Sequence, residues 1–286
     1  MNDPLLILLH IPKTGGTTLG RWLRIRLSVW PPIHWLRHHQ TLGYYRLGYS
    51  NQEHLDARCQ RIAGLTEPQR RRVRYFAAHV GFPIVQQLPA PAHVMTMLRD
   101  PVSRVISAWR YLRDCRAIDP ALSLADFALG QTQIHPYFVD NAMVRYLGAE
   151  EGRFVDGPPG SCPDAALDRA LHRIKHELWF TGLTERFDES LLLLTDKLGW
   201  KPLPCVRTRV SRRGELEPAP DPELLEKIRK RNALDDVLYK QAVSQFEAST
   251  AAAGERFAAR LARYVATNRR LESLAAMVRR SPRSTV

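Results

Sequence analysis

Leu5-Leu6-Ile7-Leu8-Leu9-His10-Ile11-Pro12-Lys13-Thr14-Gly15-Gly16-Thr17-Thr18-Leu19 is the stretch that decides how the chain is read. The apolar run at 5–9 suits a strand buried on both faces of a parallel sheet. A turn of glycine and hydroxyl residues with one lysine follows. Leu19-Gly20-Arg21-Trp22-Leu23 then places apolar residues at helical spacing. Strand, glycine turn and helix start together make an anion site. First-turn N–H groups and the positive end of the helix dipole both face the turn. Gly15 and Gly16 allow close backbone approach. Lys13 adds a full charge, and Thr17 and Thr18 add hydroxyl donors. The nucleotide-triphosphate loop G-x-x-x-x-G-K-[ST] carries its lysine after the glycines. Here the lysine precedes them, so that order is absent. The bland alternative is an ordinary strand–helix turn.

Composition sets the outer limits. A chain of 286 residues, 44% apolar, buries one large core, or one core with a helical appendage. The net charge of +13, with arginine far outnumbering lysine, favours anionic partners. These include a nucleotide, an acidic glycan, nucleic acid or a membrane surface; a basic surface with no special partner competes with all of them. Cys59, Cys115, Cys162 and Cys205 are scattered, with no C-x-x-C or Cys/His metal spacing. They read as free thiols of a reducing compartment. No run reaches transmembrane length, and the chain opens directly on its first strand.

Further along, Val73 to His79 reads as a strand ended by Gly81 and Pro83, and His93 to Leu98 as another. The second runs into Arg99-Asp100-Pro101-Val102-Ser103-Arg104-Val105-Ile106-Ser107-Ala108-Trp109. Asp100 suits a helix cap and Pro101 a first helical position. Val102, Val105, Ile106 and Trp109 share a face predicted to pack on the sheet. An apolar strand ending in an acid also mimics a Walker-B element, with Asp100 as a magnesium ligand.

The segment 33–48 holds His34, His38, His39, Tyr44, Tyr45 and Arg46. It reads either as a substrate-facing loop or as a mixed surface loop. A polar helix is expected at 51–63, and Arg70-Arg71-Arg72 as a solvated charge run. Residues 119–148 look helical, interrupted by Pro136, and 151–163 form a loop. A helix from Pro163 to Glu177 leads to a strand at Leu178 to Leu183. Thr184 is expected to cap the next helix, with Leu191 to Leu194 buried. A proline-rich basic loop follows at 201–222. From Asp221 the chain is helical, with Leu234, Val237, Leu238 and Ala242 on one face. A last amphipathic helix spans 255–279, aligning Phe257, Leu261, Tyr264 and Leu271. It has three possible uses: docking on the core, pairing with another subunit, or meeting an anionic surface through Arg279, Arg280 and Arg283.

The run from His10 to Thr18 closely resembles the 5′-phosphosulfate loop of sulfotransferases that use 3′-phosphoadenosine 5′-phosphosulfate (PAPS). Its Pro-Lys-Thr-Gly-Gly-Thr-Thr form is similar to that of the heparan sulfate 2-O-sulfotransferase branch and its bacterial relatives. The Arg99–Ser107 spacing, within R-D-P-V-S-R-x-x-S-x-W, resembles the family's 3′-phosphate motif and argues against the Walker-B reading. The resemblance covers about residues 5 to 247. It implies an α/β fold with a P-loop-like central parallel sheet flanked by helices. Residues 1–247 would be the sulfotransferase domain and 248–286 a helical extension.

The resemblance also implies roles. PAPS is the sulfuryl donor and 3′,5′-ADP (PAP) the product. Pro12, Lys13, Thr14, Gly15, Gly16, Thr17 and Thr18 hold the phosphosulfate. Arg99 and Ser107 grip the 3′-phosphate, and Arg207, Arg209 and Ser211 come from a basic loop that closes over it. His79, at a strand end, is the catalytic base; an ordinary imidazole titrates near ~6.5, as that role needs. Lys13 stabilises charge on the leaving oxygen. Ala77 stands where eukaryotic members often carry a second histidine. Asn141 to Leu147 would face the acceptor pocket. The acceptor would be a hydroxyl, most plausibly of a carbohydrate, in a cytoplasmic bacterial enzyme without the Golgi anchor. No metal and no nucleic acid is expected. Two rivals remain: a P-loop nucleotide kinase, and a non-catalytic binder of acidic glycan or nucleic acid.

Overall fold

The computed structural model describes residues 4–27, 66, 68, 75–88, 91–130, 136–151, 154–205 and 219–280. The 33–48 segment, the 51–63 helix, the 70–72 arginines and Arg207, Arg209 and Ser211 lie outside the described residues. Four strands form one parallel sheet: β1 (Leu5–Leu9), β2 (Tyr75–Ala78), β3 (Ala92–Leu98) and β4 (Phe180–Leu183), in the order β2-β1-β3-β4. Leu9 pairs with Ala78 on one side and with Thr96 on the other, and Leu98 pairs with Leu183. All four strands therefore end on one rim. The protein is α/β, with helices on both faces of the sheet.

The alternation of β1 divides the core, as a period of two requires. Leu5, Ile7 and Leu9 join Met143, Leu147, Ala170, Leu238 and Phe246 on one face. Leu6 and Leu8 join Leu19, Trp22, Leu23, Leu191, Leu194 and Tyr264 on the other. The helices concerned are α1 (Gly16–Leu27), α5 (Ala142–Leu147), α6 (Asp164–His176), α7 (Phe187–Lys197), α9 (Ala233–Ala252) and α10 (Gly254–Arg280). Between them run α2 (Pro101–Asp114), α3 (Leu124–Leu129), α4 (Pro136–Val139) and α8 (Pro222–Arg231). Burial of β1 on both faces explains its unbroken apolar run.

Three expectations need correction. The apolar face of α2 does not pack on the sheet. Val102, Val105, Ala108 and Leu112 pack on Phe127, Phe138, Val139 and Ile228, a third cluster built by α3, α4 and α8. Every residue of Asn141 to Leu147 is buried. Val237 is 47% exposed, and the inward face of α9 is Asp235, Leu238, Ala242 and Phe246. Thr184 does not cap α7; Arg186 takes the N-cap position and the Thr184 hydroxyl is used elsewhere.

Asp100 does cap α2, its Oδ1 accepting from Ser103 N at 2.8 Å, with Pro101 at the first position. α10 docks on the core through Phe257 and Tyr264. Its Asn268 accepts from Cys205 N at 2.9 Å and donates to Asp188 Oδ1 at 2.8 Å. Tyr264 Oη donates to Leu203 O at 2.8 Å, beside the bond from Trp22 Nε1 to the same carbonyl.

Under the sheet lies a buried polar network. Arg145 donates to Asp140 Oδ2, Val155 O and Pro158 O. Asp235 accepts from Met143 N and Val144 N, and lies 3.9 Å from Arg104 Nε. All four charged side chains are fully buried. Burial pushes the Asp235 carboxyl up to about 6, against the pull of Arg104 and the two N–H groups. Asp140→Ala would leave the Arg145 charge buried without its carboxylate. It should cost about 3–5 kcal/mol, the usual penalty for breaking a buried pair. Urea unfolding of wild type and variant at one pH measures it.

Candidate active site

The rim at the carboxyl ends of the strands gathers the chemistry. His10 follows β1, His79 follows β2, Arg99 follows β3 and Thr184 follows β4. Backbone bonds extend the sheet into this rim: His10 N donates to Ala78 O at 2.9 Å, and Thr184 N to Leu98 O at 2.8 Å.

The turn after β1 is wound tightly. Lys13 and Gly15 both have positive φ, 70° and 80°. For lysine that is a strained conformation. Two neighbours hold it. Arg99 Nη1 donates to Lys13 O at 3.2 Å, and Thr184 Oγ1 lies 2.7 Å from Thr14 O and 2.9 Å from Leu98 O. A trans peptide points its N–H opposite to its C=O. Fixing the carbonyls of Lys13 and Thr14 therefore turns the N–H groups of Thr14 and Gly15 away from Arg99 and Thr184. Successive N–H groups set by such alternating backbone hands form an anion-binding nest. It opens at the first turn of α1, whose leading N–H groups have no helical acceptor.

The threonines divide. Thr14 is fully buried and its hydroxyl donates to Ile11 O at 2.9 Å, so it offers a ligand its backbone only. Thr18 is buried, whereas Thr17 is exposed. Pro12 is buried. Gly16 is required by a neighbour: a Cβ there would meet His10 Cδ2 at 2.1 Å. The His10 imidazole thus lies against the backbone of the turn.

His79 and His10 form a pair, with ring centroids 4.2 Å apart at a 31° tilt. His79 Nδ1 is 2.6 Å from His10 O. A carbonyl only accepts, so Nδ1 carries the hydrogen and the lone pair of the neutral ring sits on Nε2. Burial first, then His79 and Lys13, hold the His10 imidazole well below its ordinary range, so it stays neutral.

The Lys13 ammonium lies 4.0 Å from the centroid of the Tyr111 ring, a cation–π contact. Tyr111 is one helical turn beyond Ser107 on α2, which puts Ser107 on the side of the helix facing Lys13. Arg99 is anchored by Lys13 O and lies 3.7 Å from Glu185 through Nε, an atom that is buried and makes no hydrogen bond. The structure therefore brings Lys13, His79, Arg99 and the turn to one rim, with Ser107 on the adjoining helix face. Asp100, the alternative magnesium ligand, is engaged as a cap and lies 3.5 Å from Arg229. Among the described residues, no group of three His, Cys, Asp or Glu is placed to hold a metal ion. Among them too, no helix is long and apolar enough to cross a membrane.

Sequence reasoning gave no role to His10 or Tyr111, expected of Thr184 only a helix cap, and gave Glu185 no function. His10 and Thr184 share the strand-end position of His79, which was marked by the resemblance to sulfotransferases. Tyr111 carried no local signal, whereas Glu185 is the acid of Gly182-Leu183-Thr184-Glu185, in a run similar to the sulfotransferase G-x-x-E strand and helix start.

No curated protein matches this chain. Among solved structures, a sulfotransferase from Alicyclobacillus acidocaldarius is similar over 83% of this chain and 94% of its own. Its identity is 17% and its TM-score 0.48. The galactose-3-O-sulfotransferase family matches residues 45–278, a stretch that begins beyond the glycine turn. It is a different family from the 2-O branch that the turn resembles, and the two share sulfuryl transfer. With most of its length matched, the chain belongs to the galactose-3-O-sulfotransferase family.

Proposed function

We propose that the protein moves a sulfuryl group from PAPS to a hydroxyl of a carbohydrate, with His79 as general base. The observation that carries this is the His79 ring, whose Nδ1–H is fixed by His10 O on the rim that also bears the Lys13 turn. PAPS supplies the sulfuryl group and a phosphate leaving group. The nest of Thr14 and Gly15 N–H groups, with the start of α1, suits the phosphosulfate; Thr17 adds a hydroxyl there. Lys13 balances charge on the departing oxygen. Arg99 and Ser107 suit the 3′-phosphate, with Arg207, Arg209 and Ser211 as further partners from the basic loop. As the acceptor oxygen bonds to sulfur, its proton passes to His79 Nε2. Positioning and fixed charge carry such a transfer.

A carbohydrate acceptor has support from two sides. The matched family is named for the 3-hydroxyl of galactose, and the glycine turn resembles that of enzymes acting on heparan sulfate. Both are sugar hydroxyls. The nucleotide-kinase reading has weaker support, since Asp100 is committed to capping α2.

Thermal shift tests the donor. 3′,5′-ADP should stabilise the protein and ATP with magnesium should not; the reverse result would turn the reading towards a kinase. Lys13→Ala should lower turnover by roughly 10²-fold or more, as removal of a transition-state charge stabiliser does. Turnover near wild type at saturating PAPS would remove Lys13 from that role. His79→Ala should leave PAPS affinity nearly unchanged and lower turnover by roughly 10²–10⁴-fold. The wild-type rate should rise with pH as the imidazole loses its proton, and that limb should vanish in the variant. An active but less stable variant would make His79 structural.

A further inference from the structure

Glu185 has no part in the reaction above, yet it stands at the arginine assigned to the 3′-phosphate. It lies two residues beyond β4, with 37% of its side chain exposed. Oε1 accepts from Asp100 N at 3.3 Å and lies 3.7 Å from Arg99 Nε. Oε2 accepts from Tyr239 Oη at 2.8 Å. Tyr239 belongs to α9, so the carboxylate is held from two elements. On its other edge the Arg99 guanidinium is tied to Lys13 O. Neither contact uses Nη2.

We propose that Glu185 tunes the anion affinity of the donor site through its charge. Fixed by Tyr239, it offsets part of the Arg99 charge and so limits how tightly an anionic nucleotide is held. The proposal rests on the assignment of Arg99 to the donor's 3′-phosphate.

Two effects of the carboxylate oppose each other. It orders the arginine, which favours binding, and it repels an incoming phosphate, which disfavours it. The ordering effect is the smaller. At 3.7 Å the Nε–Oε1 separation exceeds the ~2.7–2.9 Å of a strong charge-assisted bond. The bond to Lys13 O already sets the guanidinium. Repulsion does not need contact, and it is only partly screened at a half-exposed rim. Removing the charge should therefore tighten binding by about three- to tenfold, as expected for one charge acting over several ångström. A carboxylate there would let the arginine select a phosphate by shape while keeping the product nucleotide releasable.

The test is calorimetric titration of the full chain with 3′,5′-ADP. Wild type, Glu185→Gln, Arg99→Ala and the double variant are compared at one ionic strength. Glutamine removes the charge; its carbonyl oxygen can still accept from Asp100 N while its amide N–H donates to Tyr239 Oη, a hydroxyl that can also accept. Glu185→Gln should bind about three- to tenfold tighter, and the gain should largely disappear when Arg99 is alanine, because the 3′-phosphate is then no longer held beside the carboxylate. Glu185→Ala, which also drops the Tyr239 contact, should tighten binding too and carries the test if the glutamine variant folds poorly. Unchanged or weaker binding by folded Glu185 variants overturns the proposal alone. So does a gain that persists without Arg99. A folded wild type that binds no 3′,5′-ADP overturns the donor reading, and the role of Glu185 with it.

Discussion

Four charges buried together, Arg104, Arg145, Asp140 and Asp235, set the position of most of what surrounds the rim. Two are positive and two negative, so the interior carries no net charge from them. Charges taken out of water are tolerable only with good partners, which makes the network unforgiving of displacement. Asp235 on α9 accepts the first N–H groups of α5. Asn141, at φ 44°, donates its N–H to Asn232 Oδ1 and accepts from Asp235 N on its own Oδ1. Arg104 reaches into this knot from α2, touching Tyr137 O and Asn232. With Arg104 fixed, the rotation of α2 about its axis is fixed. Ser107 and Tyr111 are then carried round to Lys13, and Asp100 is held at the foot of β3. The polar knot and the proposed donor site are joined through one helix.

The rim itself depends on contacts to backbone. Lys13 O and Thr14 O are held by Arg99 and Thr184, and His10 O by His79. Each bond ties the end of one strand to the end of another. The sheet supplies the coarse alignment, and these carbonyl contacts aim the N–H groups and the imidazole. A shift of register between β1 and β2 would separate His79 from His10 O, because Leu9 and Ala78 are paired directly before them.

Much of this was legible in the sequence, for physical reasons. The apolar run at 5–9, the glycine turn and the helix start are local, and local geometry follows local residues. His79 and Arg99 stood out through resemblance to sulfotransferase motifs, and strand ends in a parallel sheet meet on one side. What stayed hidden was partnership. Periodicity showed that α2 has an apolar face but not what it packs on, and the partners came from α3, α4 and α8. Val237 fitted a helical stripe yet sits in solvent, because Asp235, a charged residue, took the inward place. A buried aspartate with two N–H groups and an arginine cannot be told from a surface one by its neighbours in sequence. Thr184 looked like a cap because threonine before an acidic turn often is one. Its hydroxyl instead serves carbonyls 170 and 86 residues away in the chain.

The backbone of Lys13 carries a last consequence. At φ 70° the residue with the lowest cost is glycine, and an ordinary side chain there is less stable by about 1–2 kcal/mol. Substituting glycine would relax the turn while removing its ammonium. Stability and chemistry pull in opposite directions at this one position. Engineering for thermal resistance would therefore select against the ammonium on which the proposed reaction relies.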